Sequence, residues 1–210
     1  MKKMLISMTL IAAMLCSLGG WAYAVNDKDL QPQTGTEQFV PGDVPAESGA
    51  MDGMVPPINA LVLCMLEQGL TYDEDSDVFL WNSLYYMISL YGQMDSRAEL
   101  TDDTLILPTE TVEDYAAALF TNYHGLPALP NQLRDRVSFD WQTDSYRLAR
   151  GDAGLSETRI EQVEKLSSGK LQVTGALVAL EDESDLCRFT AVLSANDSMF
   201  GYSISGLEIL

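Results

Sequence analysis

Apolar residues recur at helical spacing in three stretches between residues 56 and 123. Pro56 and Pro57 suit a first helical turn, and the apolar residues after them predict a helix that stops at Gly69. Residues 78–91 predict a second helix, whose wide apolar surface indicates burial on more than one side. Residues 111–123 form the clearest amphipathic pattern, with Thr109 as N-cap and Gly125 just past the end.

From Val137 onwards the apolar residues alternate with the period of two that is typical of strands. The pattern predicts an antiparallel β-meander that ends at Leu210. Its strand-like runs are 137–141, 146–150, 158–166, 171–180, 187–193 and 200–209. In the first run Val137, Phe139 and Trp141 alternate with polar residues, which predicts a half-buried strand.

Three details of the meander follow from local sequence. Residues 158–166 fit either a helix or a bulged strand, and the hairpin sequence Ser167-Ser168-Gly169 favours the strand. Residues 171–180 are apolar on both faces, which predicts a central strand. The alternation slips phase near the C-terminus, and Gly206 is the expected site of a bulge.

Helices that precede consecutive strands are typical of an α+β fold, here N-terminal helices packed on a C-terminal antiparallel β-meander. This order resembles the NTF2-like and cystatin-like α+β rolls, in which a curved meander wraps one or more helices. The chain also looks like small exported bacterial proteins that have no assigned role. The resemblance covers residues 56–210 in element order alone, so it brings no site residues with it.

The first 54 residues lack the pattern of a folded domain. Residues 1–24 predict a secretory signal: two lysines, a short apolar run and the Ala-x-Ala cleavage pattern that ends at Ala24. A lipid anchor at Cys16 is the alternative, but Leu15 is too large for the residue before that cut. Residues 25–54, rich in Pro, Gly and acids, predict a disordered linker, and residues 55–210 a single α+β domain. The expected location is therefore periplasmic or extracellular.

Composition narrows the classes of partner. The chain carries 31 acidic and 12 basic residues and a formal charge of −19. Nucleic acids and anionic membrane surfaces would be repelled, so neither is expected as a partner. An unknown protein or a small-molecule ligand remains the expectation.

The residues of metal and redox chemistry are scarce. One histidine, His124, is expected at a helix C-terminus, where a cation is favoured. The acids from Asp73 to Asp77 resemble the start of a calcium loop, but the later positions do not match, and we expect a helix N-cap at Ser76 or Asp77. No cofactor and no metal site are predicted. Export permits a Cys64–Cys187 disulfide, although two thiols in apolar runs are the favoured alternative.

No catalytic motif is recognised, so we predict no catalytic residue. If a ligand pocket lies between helices and sheet, its expected lining is Trp81, Tyr85, Tyr146, Arg150 and Asp152. For the charged members the simpler expectation is a surface pair of Arg150 with Asp140 or Asp152. Three functions follow, in order of preference: a non-enzymatic binding or accessory module, a pocket protein or enzyme with an NTF2-like cavity, and a cystatin-like protease inhibitor.

Overall fold

A computed structural model describes residues 51–152 and 154–210. The signal and most of the linker expected before residue 51 lie outside the described residues. Three α-helices lie wholly within the described ranges: α1, Val55–Gln68; α2, Asp77–Tyr91; and α3, Thr109–Leu119. Short 3-10 turns follow at Gly92–Met94 and Asn131–Leu133. Within the described residues, none of the helices is long and apolar enough to cross a membrane.

Eight strands form two antiparallel sheets. Sheet 1 contains β1, Glu99–Leu100; β2, Thr104–Pro108; β3, Val137–Asp140; and β4, Ser145–Ala149, in the order β1-β2-β4-β3. Sheet 2 is a meander of β5, Ser156–Lys165; β6, Leu171–Ala179; β7, Asp185–Ala195; and β8, Tyr202–Ile209. The α+β class is confirmed, with helices preceding a C-terminal antiparallel meander.

The prediction of one meander from Val137 onwards is wrong in its first third. The two strands at the start of that region belong to a separate sheet, in which β3 pairs with β4 and β4 pairs with β2, through Leu105 opposite Leu148 and Leu107 opposite Tyr146. Alternation shows that a segment is a strand, but it does not show which strand lies beside it. The apolar run of β2 completes the inner face of sheet 1, where Leu105 and Leu107 are both fully buried.

Local features of sheet 2 agree with the sequence analysis. The doubtful run 158–166 lies in a strand, β5, with a bulge between Ile160 and Gln162. β6 is flanked by strands on both sides, as its two apolar faces predict. A second bulge leaves Ser205 unpaired, because Val192 lies opposite Gly206 and Leu193 opposite Ile204. This bulge is next to the predicted glycine.

The start of α2 and the end of α1 agree with the sequence prediction, whereas the ends of α3 do not. The backbone N–H of Phe79 donates to Ser76 Oγ at the start of α2, and Gly69 closes α1 with a φ of 63°. In contrast, α3 begins at Thr109, with Pro108 in the N-cap position, and ends at Leu119, so the predicted N-cap at Thr109 and the predicted stop at Gly125 are both wrong. Phe120 leaves the helix in extended conformation, because it forms a parallel bridge with Ile204 of sheet 2.

The early end of α3 changes the place of the histidine. His124 lies beyond the helix, exposed in the loop that follows, rather than at a helix C-terminus. The same loop brings the hydroxyl of Thr121 to within 3.4 Å of the Ile204 carbonyl oxygen, which it donates to. A tertiary contact with sheet 2 therefore overrides the helical pattern of residues 120–123.

A single hydrophobic core joins the helices to both sheets. Its largest fully buried side chains include Trp81 and Phe79 from α2 and Phe189 from β7. Met51 and Met54, which the sequence analysis placed in the linker, are buried in the same core. Met51 and Met54 therefore pack as part of the domain rather than as linker.

The alternating face of β3 is less buried than predicted. Val137 is buried, but Phe139 is 47% exposed and Trp141 is 77% exposed. β3 is an edge strand and ends at Asp140, so Phe139 packs against Tyr146 of β4, with 4.9 Å between the ring centroids, and Trp141 lies beyond the end of the strand.

Candidate functional site

A cleft of about 490 Å³ opens where helices α1 and α2 meet the loop between β4 and β5. α1 contributes Leu63 and Glu67, and the ends of β6 and β7 close the opposite side. The full lining is Leu63, Glu67, Tyr85, Tyr86, Ser89, Leu90, Arg136, Gly151, Asp152, Gly154, Leu155, Ser156, Ala179 and Leu186. This volume is within the range of small-molecule sites.

The loop that forms one wall is held in place at both ends. The Gly151 N–H donates to the Ser89 carbonyl oxygen at 3.1 Å, and the Leu180 N–H donates to the Leu155 carbonyl oxygen at 2.7 Å. A Cβ at Gly151 would lie 2.9 Å from Ser89 Oγ and 3.1 Å from Leu90 Cδ2, so a larger residue there would have to displace these side chains. The loop is thereby fastened to α2 at one end and to the end of β6 at the other.

Two adjacent tyrosines of α2 form the aromatic wall. The rings of Tyr85 and Tyr86 lie 5.8 Å apart at nearly right angles. The guanidinium of Arg136 lies over the Tyr85 ring, with its Cζ 5.6 Å from the ring centre. A cation over an aromatic face is attracted by the ring quadrupole, so Tyr85 and Arg136 hold each other in position.

The polar groups of the cleft are engaged with one another. The Tyr86 hydroxyl donates to Glu67 Oε2 at 2.6 Å and accepts a hydrogen bond from Gln68 Nε2 at 2.9 Å. Burial, then the contact with Glu67, raises the pKa of Tyr86. On the loop side, Asp152 Oδ1 accepts from the Gly154 N–H at 3.0 Å. Both carboxylates keep free lone pairs for a ligand.

Exposed leucines surround the mouth of the cleft. Leu155 and Leu186, which both line the cleft, are 76% and 55% exposed. Leu180 is also exposed and lies beside Leu155 through their backbone hydrogen bond. Exposed apolar side chains grouped at a cavity are more informative than the same residues scattered singly over a surface.

Of the five pocket residues predicted from sequence, two line the cleft and three do not. Tyr85 and Asp152 line the cleft together. Trp81 is fully buried, and its indole N–H donates to the Pro127 carbonyl oxygen at 3.0 Å. Tyr146 lies against the Trp81 ring, with 5.2 Å between the centroids, and belongs to the aromatic packing of sheet 1. Trp81 and Tyr146 therefore pack against other side chains of the domain rather than line the cleft.

Arg150 lies outside the cleft and pairs with neither predicted acid. Its guanidinium donates to the Asp102 carbonyl oxygen at 3.1 Å and to Gln93 Oε1 at 3.2 Å. Asp140 pairs with Arg147 instead, at 3.1 Å. Arg147 is nearer because it follows Asp140 across the β3–β4 hairpin.

Sequence reasoning missed Glu67, Arg136 and the mouth leucines. Glu67 is in the last turn of α1, and Arg136 lies just before β3, so only the tertiary fold brings them together. Leu155 carried a weak signal, since a large apolar residue between Gly154 and Ser156 has no reason to be in an exposed turn.

The two described cysteines are free thiols rather than a disulfide. Burial raises the pKa of Cys64 to about 12, and burial also raises that of Cys187. Ser83 Oγ donates to Cys64 Sγ at 3.9 Å. A thiol with a raised pKa is a poor nucleophile, so both cysteines act as small apolar residues.

Acidic residues do not form a metal site in the parts of the chain that the structure describes, 51–152 and 154–210. The acids that resemble a calcium loop instead lead into α2. The Asp75 N–H donates to Asp73 Oδ1 at 3.1 Å, and Ser76 caps the helix. This arrangement is a turn before a helix N-terminus, as expected.

Comparison with known proteins does not assign a function to the cleft. No family model, curated protein or solved structure matches the chain, so the argument for its function rests on the residues of the cleft.

Proposed function

We propose that this protein is an exported, non-enzymatic binding module whose cleft takes a small amphipathic ligand with an apolar body and a cationic group. The observation that supports the proposal is the cleft itself: about 490 Å³, an aromatic wall, and leucines around its mouth. Few polar groups in a mostly apolar concavity are typical of sites that orient a small ligand.

The charges of the cleft favour a cation over an anion. Glu67 and Asp152 are carboxylates, whereas Arg136, the cationic residue of the lining, is already placed over Tyr85. The chain as a whole has a formal charge of −19, which draws cations towards it and repels anions. An amine at one end of the ligand would meet Glu67 or Asp152, and its apolar part would contact the leucines.

Binding is a better conclusion than catalysis because the nucleophilic groups near the cleft are not activated. The pKa of Tyr86 and that of Cys64 are both raised, which holds these groups protonated at neutral pH. Turnover of ester, glycoside, peptide or phosphate substrates by the purified protein would overturn this part of the proposal.

A cavity at the junction of helices and sheet is also what the NTF2-like layout implies. In the cystatin-like alternative, loops rather than a cavity would contact a protease. The cleft therefore supports the pocket protein over the inhibitor. Export rests on the predicted signal at residues 1–24 and would be tested by the N-terminus of protein recovered from the cell exterior or periplasm.

The ligand class can be tested with three probes of one chain length: decylamine, decanol and decanoate. Isothermal titration should show the amine binding tightest and the carboxylate weakest. Leu155→Gln should weaken decylamine binding about threefold to tenfold, because apolar area at the mouth is lost. Leu100→Gln is the matched control, since Leu100 is 51% exposed but lies on sheet 1.

Tyr85→Ala, checked for folding by its melting temperature, should weaken binding further by removing the aromatic wall. Absence of saturable binding by all three probes, or equal losses in Leu155→Gln and Leu100→Gln, would contradict the proposed site.

A further inference from the structure

A second concavity of about 270 Å³ lies on sheet 1 and has the opposite character. Three arginines and three hydroxyl-bearing residues line it: Arg134, Arg136, Arg147, Thr101, Thr104 and Ser138. Asp135 is the acid in this lining. The cleft described above is separate, although Arg136 contacts both.

Strand register brings the polar side chains together. Arg147 of β4 is opposite Ser138 of β3 on one side and Ile106 of β2 on the other. Neighbouring residues on adjacent strands share a face, so Arg147 and Ser138 project from the same side of the sheet. That side is the one away from the core residues Leu105 and Leu148.

These arginines are short of carboxylate partners in an acidic protein. The chain has 31 acidic residues against 12 basic ones, so acids are abundant. Within residues 51–152 and 154–210, neither Arg134 nor Arg136 makes an ion pair. Arg147 donates from Nη2 to Asp140, and its Nε and Nη1 make no hydrogen bond to any described residue.

We propose that this concavity binds a small ligand through an oxyanion group, a carboxylate or a phosphate, held by Arg134 and Arg147 with Ser138 as a further donor. A guanidinium presents parallel N–H donors that match both oxyanions in a bidentate manner. Asp135 beside the arginines repels further anionic groups, so the ligand carries a single oxyanion group on a small polar body. This agrees with repulsion of polyanions by the whole chain.

The test is titration of the 15N-labelled full chain with inorganic phosphate and, separately, with acetate at low ionic strength, followed by amide chemical shifts. Saturable shifts should be confined to the neighbourhood of Arg134, Ser138 and Arg147, and the tighter of the two probes identifies the oxyanion. Added salt should weaken binding, because the attraction is electrostatic.

Arg134→Gln is the most informative variant. The Arg134 side chain has no hydrogen-bond partner among the described residues, so the substitution breaks no contact within the protein. It should weaken binding about tenfold, as should Arg147→Gln, because each removes charge-assisted hydrogen bonds. Arg159→Gln removes the same charge from sheet 2 and should change affinity less than about twofold. Arg136 is left intact because it also lines the cleft.

Shifts spread evenly over the surface, or no saturation by either anion, would overturn the proposal. An equal loss of affinity in Arg134→Gln and Arg159→Gln would also do so, because it would show that net charge alone governs binding. Neither result bears on the cleft, whose probes and variants are different.

Discussion

The two sheets use arginine in opposite ways. On sheet 2, Arg159 of β5 and Arg188 of β7 lie on either side of Ala176 in β6, and both pair with Glu161 and Asp185. At sheet 1, Arg147 pairs with Asp140 through Nη2, and Arg134, which precedes β3, makes no ion pair with any described residue. The arginines of sheet 2 are therefore paired with carboxylates, whereas guanidinium N–H donors at sheet 1 have no protein acceptor among the described residues. This is the reason to seek a ligand at sheet 1.

The two sheets also differ in the length of their strands. β5 to β8 are 8 to 11 residues long and cover most of their partners' length. β1 to β4 are only 2 to 5 residues long, and aromatic residues at the end of β3 are exposed. Long, continuously paired strands suit a structural support, whereas a short sheet with an open face suits recognition.

The largest expected effect comes from breaking the packing of sheet 2. A Cβ at Gly175 would overlap the Arg159 carbonyl oxygen and lie 2.7 Å from Phe189 Cζ. Gly175→Ala should therefore lower the free energy of unfolding by about 3 kcal/mol or more, since neither the backbone nor the buried ring can move freely. Urea denaturation measures the change. Gly206→Ala is the control, because its Cβ would have 3.8 Å to the nearest atom.

A smaller effect is expected from the polar link between sheet 2 and the helices. Asn59 of α1 accepts from Thr158 Oγ1 of β5 at 3.0 Å and donates to the Tyr91 hydroxyl of α2 at 2.7 Å. Asn59→Ala leaves both hydroxyls without this partner and should cost about 2 kcal/mol in urea denaturation.

A comparable side-chain hydrogen bond connects sheet 1 to a helix, but it is exposed. Thr109 Oγ1 donates to Asp144 Oδ1 at 2.9 Å and links α3 to the β3–β4 hairpin in an exposed place. Thr109→Val should cost less than about 0.5 kcal/mol, because water replaces the lost partner. Equal costs for Asn59→Ala and Thr109→Val would contradict the view that sheet 2 is the structural support.

The smallest effect concerns the arginines themselves. Arg159→Gln should lower stability by less than about 1 kcal/mol at low salt, since its ion pairs are partly exposed. The loss should disappear in 1 M salt, where charges are screened within about 3 Å. Arg134→Gln should leave the melting temperature unchanged at either salt concentration. A comparable, salt-dependent loss in Arg134→Gln would show that this arginine has a structural partner.

Local sequence determined the elements. The sequence located the three helices, the glycine that ends α1, an N-cap at Ser76 or Asp77, of which the helix uses Ser76, and a strand at residues 158–166, most of which lies in β5. Each of these depends on a short segment, in which residue spacing decides the face that is buried. The α+β class follows from the order of these elements, because helices that precede consecutive strands leave few other ways to bury both apolar faces.

Tertiary structure alone decided which elements lie side by side. Pairing of β2 with β4 divided the expected meander into two sheets, and the bridge between Phe120 and Ile204 ended α3 early. The candidate sites depend on contacts of the same kind: Glu67 meets Tyr86 across two helices, and Arg147 of β4 lies opposite Ile106 of β2. Such contacts compete for partners over the whole chain, so hydrophobic periodicity, which is a local property, determines the strands and helices but not their neighbours.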